Sequence, residues 1–167
     1  MSVSSHRAAS PAATTCAVLT VSDTRSADTD TSGRAIADLL AAAGHTVASR
    51  TIVRDEPTEI TRAVRELVGH DDVQAIVATG GTGLSERDAT VEALRPMFDR
   101  EIEGFGELFR MLSYEQVGPA AMLSRAAAGV ISGRAVFLLP GSEKAVRLAV
   151  EKLILPELGH IVREIGR

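Results

Sequence analysis

At 167 residues and a formal net charge of −4, the chain is sized for one domain with its own core. It lacks the basic surface that a general nucleic-acid binder needs to displace counterions from phosphates. Hydrophobic residues make up 45% and aromatic residues only 3%, with no tryptophan, so the core must be aliphatic, which suits buried parallel strands. One cysteine, Cys16, excludes an intramolecular disulfide; within an apolar run it reads as an inert buried thiol. His6, His45, His70 and His160 have no partners at zinc-ligand spacing.

Residues 1–15 are Ser/Ala-rich without an apolar h-region and read as a disordered tail rather than a signal peptide. No run of about 20 apolar residues suggests a membrane span, so a cytoplasmic protein is expected. Residues 16–167 then form a single domain. Cys16 to Val21 is a buried strand ending in Ser22-Asp23, followed by a polar loop to Ser32. Ser32 can cap a helix with Ile36, Leu39, Leu40 and Ala43 on its apolar face, stopped by Gly44. A second, less apolar strand runs from about Thr46 to Val53, nearer a sheet edge. Pro57 opens a helix whose buried stripe is Ile60, Ala63, Val64 and Leu67.

The third strand, Val73 to Thr79, runs into Gly80-Gly81-Thr82-Gly83. Strands alternating with helices imply right-handed crossovers and a parallel sheet. A short helix from Thr90 is interrupted near Pro96, and a longer one spans about Gly104 to Gln116. That second helix carries Phe105, Leu108, Phe109, Leu112 and Tyr114, for which a core helix and a contribution to a subunit interface stand about even, the habit of closed symmetric assemblies favouring the interface. Two strands, Ala126 to Ile131 and Ala135 to Leu139, flank Ser132-Gly133-Arg134 as an antiparallel hairpin. A helix from Glu143 to about Leu155 follows Pro140-Gly141-Ser142, with a further turn or two beyond Pro156. The fold class is therefore α/β, with a mostly parallel sheet and one antiparallel hairpin strand.

Ligands of open parallel sheets bind at the carboxyl ends of strands, where helix N-termini present free N–H groups. Three strands here end in Ser22-Asp23, the GGTG loop and Pro140-Gly141-Ser142. Glycines let backbone approach an anion closely. This loop is neither a Walker loop nor a dinucleotide fingerprint, because the spacings of both are absent. On glycines alone, a tight turn and a phosphate cradle stand even. Ser85 to Thr90 adds a carboxylate, a guanidinium and hydroxyls. Asp55 and Asp88 each precede a helix, so capping is the commoner role for both. Two carboxylates on one sheet edge beside a phosphate loop could instead hold Mg²⁺. Lys144 and Arg125 would ordinarily be surface cations, but Lys144 sits just past a strand-ending turn.

Thr20-Val21-Ser22-Asp23, Asp30 to Gly33, Gly80 to Asp88, Ile102 to Arg110, Leu123-Ser124-Arg125 and Leu139 to Ser142 together resemble the MoaB/MogA molybdopterin-binding family. The likeness runs from about Cys16 to His160, and the segment around Asp99 to Gly118 looks closest to the MoaB branch. The resemblance implies a three-layer α/β/α sandwich, trimers that sometimes pair into hexamers, and contact with other proteins of the molybdenum cofactor pathway. It also implies a molybdopterin adenylyltransferase that uses ATP as co-substrate with Mg²⁺, the alternative being a non-catalytic molybdopterin carrier. On this resemblance Asp55 and Asp88 correspond to the catalytic, metal-holding positions. Substrate binding would fall to Ser22, Asp23, Gly80, Gly81, Thr82, Gly83, Thr90, Ser124, Arg125, Pro140, Gly141, Ser142 and Lys144.

Overall fold

The computed structural model describes residues 11–167. One six-stranded sheet runs in the order β2-β1-β3-β6-β5-β4, formed by β1 (Thr15–Val21), β2 (Thr46–Val53), β3 (Ala75–Thr79), β4 (Arg100–Glu101), β5 (Ala127–Ile131) and β6 (Arg134–Leu139). Strands β1, β2, β3 and β6 pair in parallel, and β5 runs antiparallel to both of its neighbours. The less apolar β2 is indeed an edge strand. The connection leaving β1 runs to β2 on one side and the connection leaving β3 runs to the other side of the sheet, so β1/β3 is the topological switch point.

Alternation along the central strands feeds two cores. Cys16, Val18, Ala75, Val77, Phe137 and Leu139 face helices α1 (Thr31–Ala42), α4 (Glu103–Val117), α5 (Glu143–Ala149) and α6 (Leu155–Ile165). Ala17, Leu19, Val21, Ile76, Ala78 and Leu138 face α2 (Pro57–Val68) and the one-turn α3 (Thr90–Leu94). This is the three-layer sandwich expected. The α2 stripe Ile60, Ala63, Val64 and Leu67 is buried as its spacing predicts. Cys16 is fully buried, and burial pushes its thiol up to about 12, leaving it protonated and inert at neutral pH.

Four local expectations change. The tail expectation for residues 1–10 lies outside the described residues, while Thr14 is buried and β1 begins at Thr15. The cap of α1 is Asp30, not Ser32: its Oδ1 accepts from the Gly33 N–H at 2.9 Å and its Oδ2 from the Thr20 hydroxyl at 2.9 Å. A Cβ on Gly33 would lie 2.1 Å from Asp30 Oδ2, so that cap needs glycine there. The two-residue β4, too short for any period to reveal, pairs antiparallel with β5. Finally, the helix beyond Pro156, expected to last a further turn or two, runs on for about two and a half turns to Ile165. A π turn over Val150–Ile154 widens the backbone just before the proline, whose ring would otherwise crowd the carbonyl four residues back.

Candidate active site at the carboxyl edge of the sheet

A cavity of about 330 Å³ opens at the switch point, lined by Ser22 and Asp23 after β1, Asp55 after β2, Gly80 and Gly81 after β3, Asp88, and Gly141 after β6. Arg25, Asp30, Ser32 and Arg87 complete its polar wall. Parallel pairing of β1, β2, β3 and β6 forces these four strand ends onto one edge, and the same pairing explains why residues so distant in sequence meet.

The glycines are dictated by geometry. Gly80 has φ +94°, and a Cβ there would lie 2.2 Å from the Val21 carbonyl oxygen. Gly81 has φ +65°, and its Cβ would meet Thr90 Oγ1 at 2.2 Å and Asp55 Oδ2 at 2.7 Å. Both torsions lie in the left-handed region that favours glycine. Thr90 is fully buried beneath the loop: its hydroxyl donates to the Gly80 carbonyl at 2.8 Å and its N–H to the Gly81 carbonyl at 2.9 Å. Its bonds make it a strut beneath the glycine loop. The other wall is tied down likewise, with the Ser32 hydroxyl donating to the Gly141 carbonyl at 2.7 Å and Thr79 to the Pro140 carbonyl at 2.8 Å.

Neither acidic residue caps a helix. The position before α2 is Glu56, without a side-chain cap, and the position before α3 is Ala89, also uncapped by a side chain. Asp55, 8% exposed, reaches across to accept the Ala89 N–H at 2.9 Å through Oδ1. Among the described residues no donor meets its Oδ2. Asp88 folds back on its own loop, accepting the Ser85 N–H at 3.1 Å. Burial raises the Asp55 carboxyl above the ordinary aspartate range, and the charges of Asp88 and Asp23 raise it further against the Ala89 hydrogen bond. Asp23 goes the other way, held low chiefly by the Arg87 guanidinium.

The residues present fit Mg²⁺, which binds through one or two carboxylates plus substrate phosphates rather than in an all-protein cage. An Asp55 oxygen without a donor, crowded by neighbouring anions, is what a cation would relieve. Among the described residues, no group of three or more His, Cys, Asp or Glu is placed to hold a metal by itself.

The remaining residues named from the sequence lie outside the cavity. Arg125 is engaged by the protein: its Nε donates to the Thr82 carbonyl at 3.0 Å, and its other nitrogens bond the Gly83 carbonyl and Glu92. It braces the GGTG loop, with Thr82 buried beneath it, and leaves little of its fork for a phosphate. Ser142 caps α5 by accepting the Ala145 N–H at 3.2 Å. Ser142, Lys144, Pro140 and Ser124 line a second cavity, of about 180 Å³, beyond the Pro140–Ser142 turn. Sequence reading had passed over Arg87, Asp30 and Ser32 as site residues. Asp30 and Ser32 were visible in the Asp-Thr-Ser-Gly run that carries part of the family resemblance, and Arg87 as the one cation of the GGTG-flanking segment.

This geometry defines an open α/β protein with a glycine-walled, carboxylate-bearing cavity at its switch point, the position where such folds take their ligands. The chain matches the family described as probable molybdopterin binding domain over residues 17–160. The molybdenum cofactor biosynthesis protein B of Halalkalibacterium halodurans is 51% identical over 166 residues, covering 99% of this chain and 98% of the relative. A crystal structure of a molybdenum cofactor biosynthesis protein B is similar with a TM-score of 0.91 at 51% identity, covering 94% of this chain and 98% of that one. The tungsten cofactor synthesizing protein MoaB from Pyrococcus furiosus gives a TM-score of 0.85 at 38% identity over 94% of this chain and 99% of its own. The chain belongs to the molybdopterin-binding MoaB/MogA family.

Proposed function

We propose that this protein acts in molybdenum cofactor biosynthesis as a Mg-ATP-dependent molybdopterin adenylyltransferase. The observation that carries the reading is Asp55, a buried carboxylate with one free oxygen beside Asp88 and a glycine-walled cavity. In the reaction, an oxygen of the terminal phosphate of molybdopterin attacks the α-phosphorus of ATP. A new P–O bond forms, the α–β bridge breaks, and pyrophosphate leaves with its electron pair. The nucleophile is already anionic near neutral pH, so no general base is required, and catalysis rests on alignment and charge neutralisation.

Asp55 and Asp88 would hold Mg²⁺, which supplies positive charge to the phosphates as negative charge shifts to the leaving group. Gly80 and Gly81 admit phosphate against backbone, with Ser22 and the N-terminus of α1 on the opposite wall. The second cavity, with Lys144 at its rim, suits the other half of the substrate pair. Assembly into trimers or hexamers is supported by the apolar outer face of α4, where Leu108, Met111 and Tyr114 stand exposed. A cytoplasmic site of action follows from the substrates.

Purified protein incubated with molybdopterin, ATP and Mg²⁺ should yield adenylylated molybdopterin and molybdopterin-dependent pyrophosphate. Tight pterin binding without pyrophosphate release would instead make it a carrier, and no pterin binding would refute both readings.

A further inference from the structure

Arg87 occupies a position that the reaction above does not explain. It lies between Gly83 and Thr90 on the loop that carries Asp88, and its side chain reaches back over the cavity rim. Its Nε donates to Asp23 Oδ2 at 2.7 Å, its Nη2 to Asp23 Oδ1 at 3.0 Å and its Nη1 to Glu56 Oε1 at 2.7 Å. One planar group thus joins the end of β1, the end of β2 and the loop after β3. Asp23 Oδ1 also accepts the Asp55 N–H at 3.1 Å, and Asp55 Oδ1 accepts the N–H of Ala89 on the Arg87 loop. The bonds close a ring: Arg87 to Asp23, Asp23 to Asp55, Asp55 to Ala89, and along the loop back to Arg87.

We propose that Arg87 is a positioning residue, a three-way clamp that holds the Asp88 loop against Asp55 so that both carboxylates meet one ligand-bound cation. The inference rests on the adenylyltransferase reading for its kinetic consequence, but the clamp itself is independent of any ligand. Guanidinium is the group this geometry requires, because its fixed fork serves two carboxylates at once, whereas an ammonium is a point charge. Opening the ring frees the loop in the unliganded protein. Triphosphate and metal then reorder it on binding, so the defect falls on KM more than on kcat.

The test compares wild type with Arg87→Ala, Arg87→Lys and Asp23→Asn. Amide hydrogen exchange is read on the free protein, and steady-state kinetics with Mg-ATP as the varied substrate. All three variants should exchange the Asp55 and Ala89 amides faster than wild type, with the β3 amides unchanged. KM for Mg-ATP should rise roughly tenfold, the loss typical of a second-layer partner of a metal site, with kcat within about threefold. Arg87→Ala makes the rim more negative and Asp23→Asn makes it less negative, so a shared direction of change separates positioning from simple charge. Opposite shifts in KM, wild-type behaviour of Arg87→Lys, or unchanged exchange at Asp55 and Ala89 would each overturn the clamp. A wild-type protein that never transfers AMP would refute the adenylyltransferase reading instead, and the exchange data would still decide the clamp.

Discussion

The rim of the cavity and the outer face of α4 are both exposed, yet they are built on opposite principles. At the rim most polar groups have a partner: Asp23 with Arg87, Glu56 with Arg87, Ser32 with Gly141. What it leaves open is a space walled by glycine and, among the described residues, one donor-free oxygen on each of Asp55 and Asp88. On α4 and the turn after it, Leu108, Met111, Tyr114, Val117, Met122 and Leu123 are each between 46% and 75% exposed. One surface is satisfied and rigid, as a site for a small charged ligand must be. The other is apolar and uncovered, which suits a broad contact with another protein surface. Ligand recognition and assembly are thus separable, and substitutions should break one without the other.

The largest effect is expected at the carboxylates. Asp88→Ala and Asp55→Asn should each lower AMP transfer by about a hundredfold or more, the scale of losing one preorganised electrostatic group. Asp55→Asn carries a second signature. A carboxyl whose folded value is raised binds its proton more tightly in the folded than in the unfolded state. Its ionisation therefore opposes folding, and stability is lost as pH rises from the ordinary aspartate range through the raised value of Asp55. The asparagine variant should melt higher than wild type at pH 7 and alike at pH 3. A lower melting point at pH 7 would mean that the ionised carboxylate stabilises the fold.

Gly81→Val should come next. Its Cβ would fall within 3 Å of both Thr90 and Asp55, at a positive φ that a branched residue resists. Strain of about 1–3 kcal/mol should appear in thermal unfolding, and calorimetry should show phosphorylated pterin binding lost. Unchanged affinity in a folded variant would remove the glycine wall from the site.

On the other surface, Tyr114→Glu should reduce the light-scattering mass at micromolar concentration while leaving pterin affinity unchanged. A wild type that is already monomeric would end the interface reading of α4. The smallest effect is expected for Lys144→Ala. An exposed ammonium contributes about 0–1 kcal/mol, so affinity should fall at most about fivefold, and the loss should vanish in high salt. Dephosphorylated pterin should bind both forms alike. Equal losses for both ligands at all salt concentrations would assign Lys144 to local structure.

Much of this molecule was determined by local sequence. Apolar runs of strand length and the i, i+3, i+4, i+7 stripe of α2 specify elements and their buried faces without reference to anything distant. Glycine at 80 and 81 likewise announces a close backbone approach. Tertiary structure decided the rest, because hydrogen bonds across 30 or more residues leave no period. Asp55 and Asp88 looked like helix caps, since an aspartate before a helix is ordinarily one; only the parallel register turns Asp55 toward Ala89 instead. Arg125 looked like a ligand for phosphate and proved to be committed to loop carbonyls. Arg87 was legible as a guanidinium beside the glycine loop, but not as the group that joins Asp23, Glu56 and that loop. In each case the sequence determines the chemical group, and the sheet order, by bringing strand ends together, determines which partner that group meets.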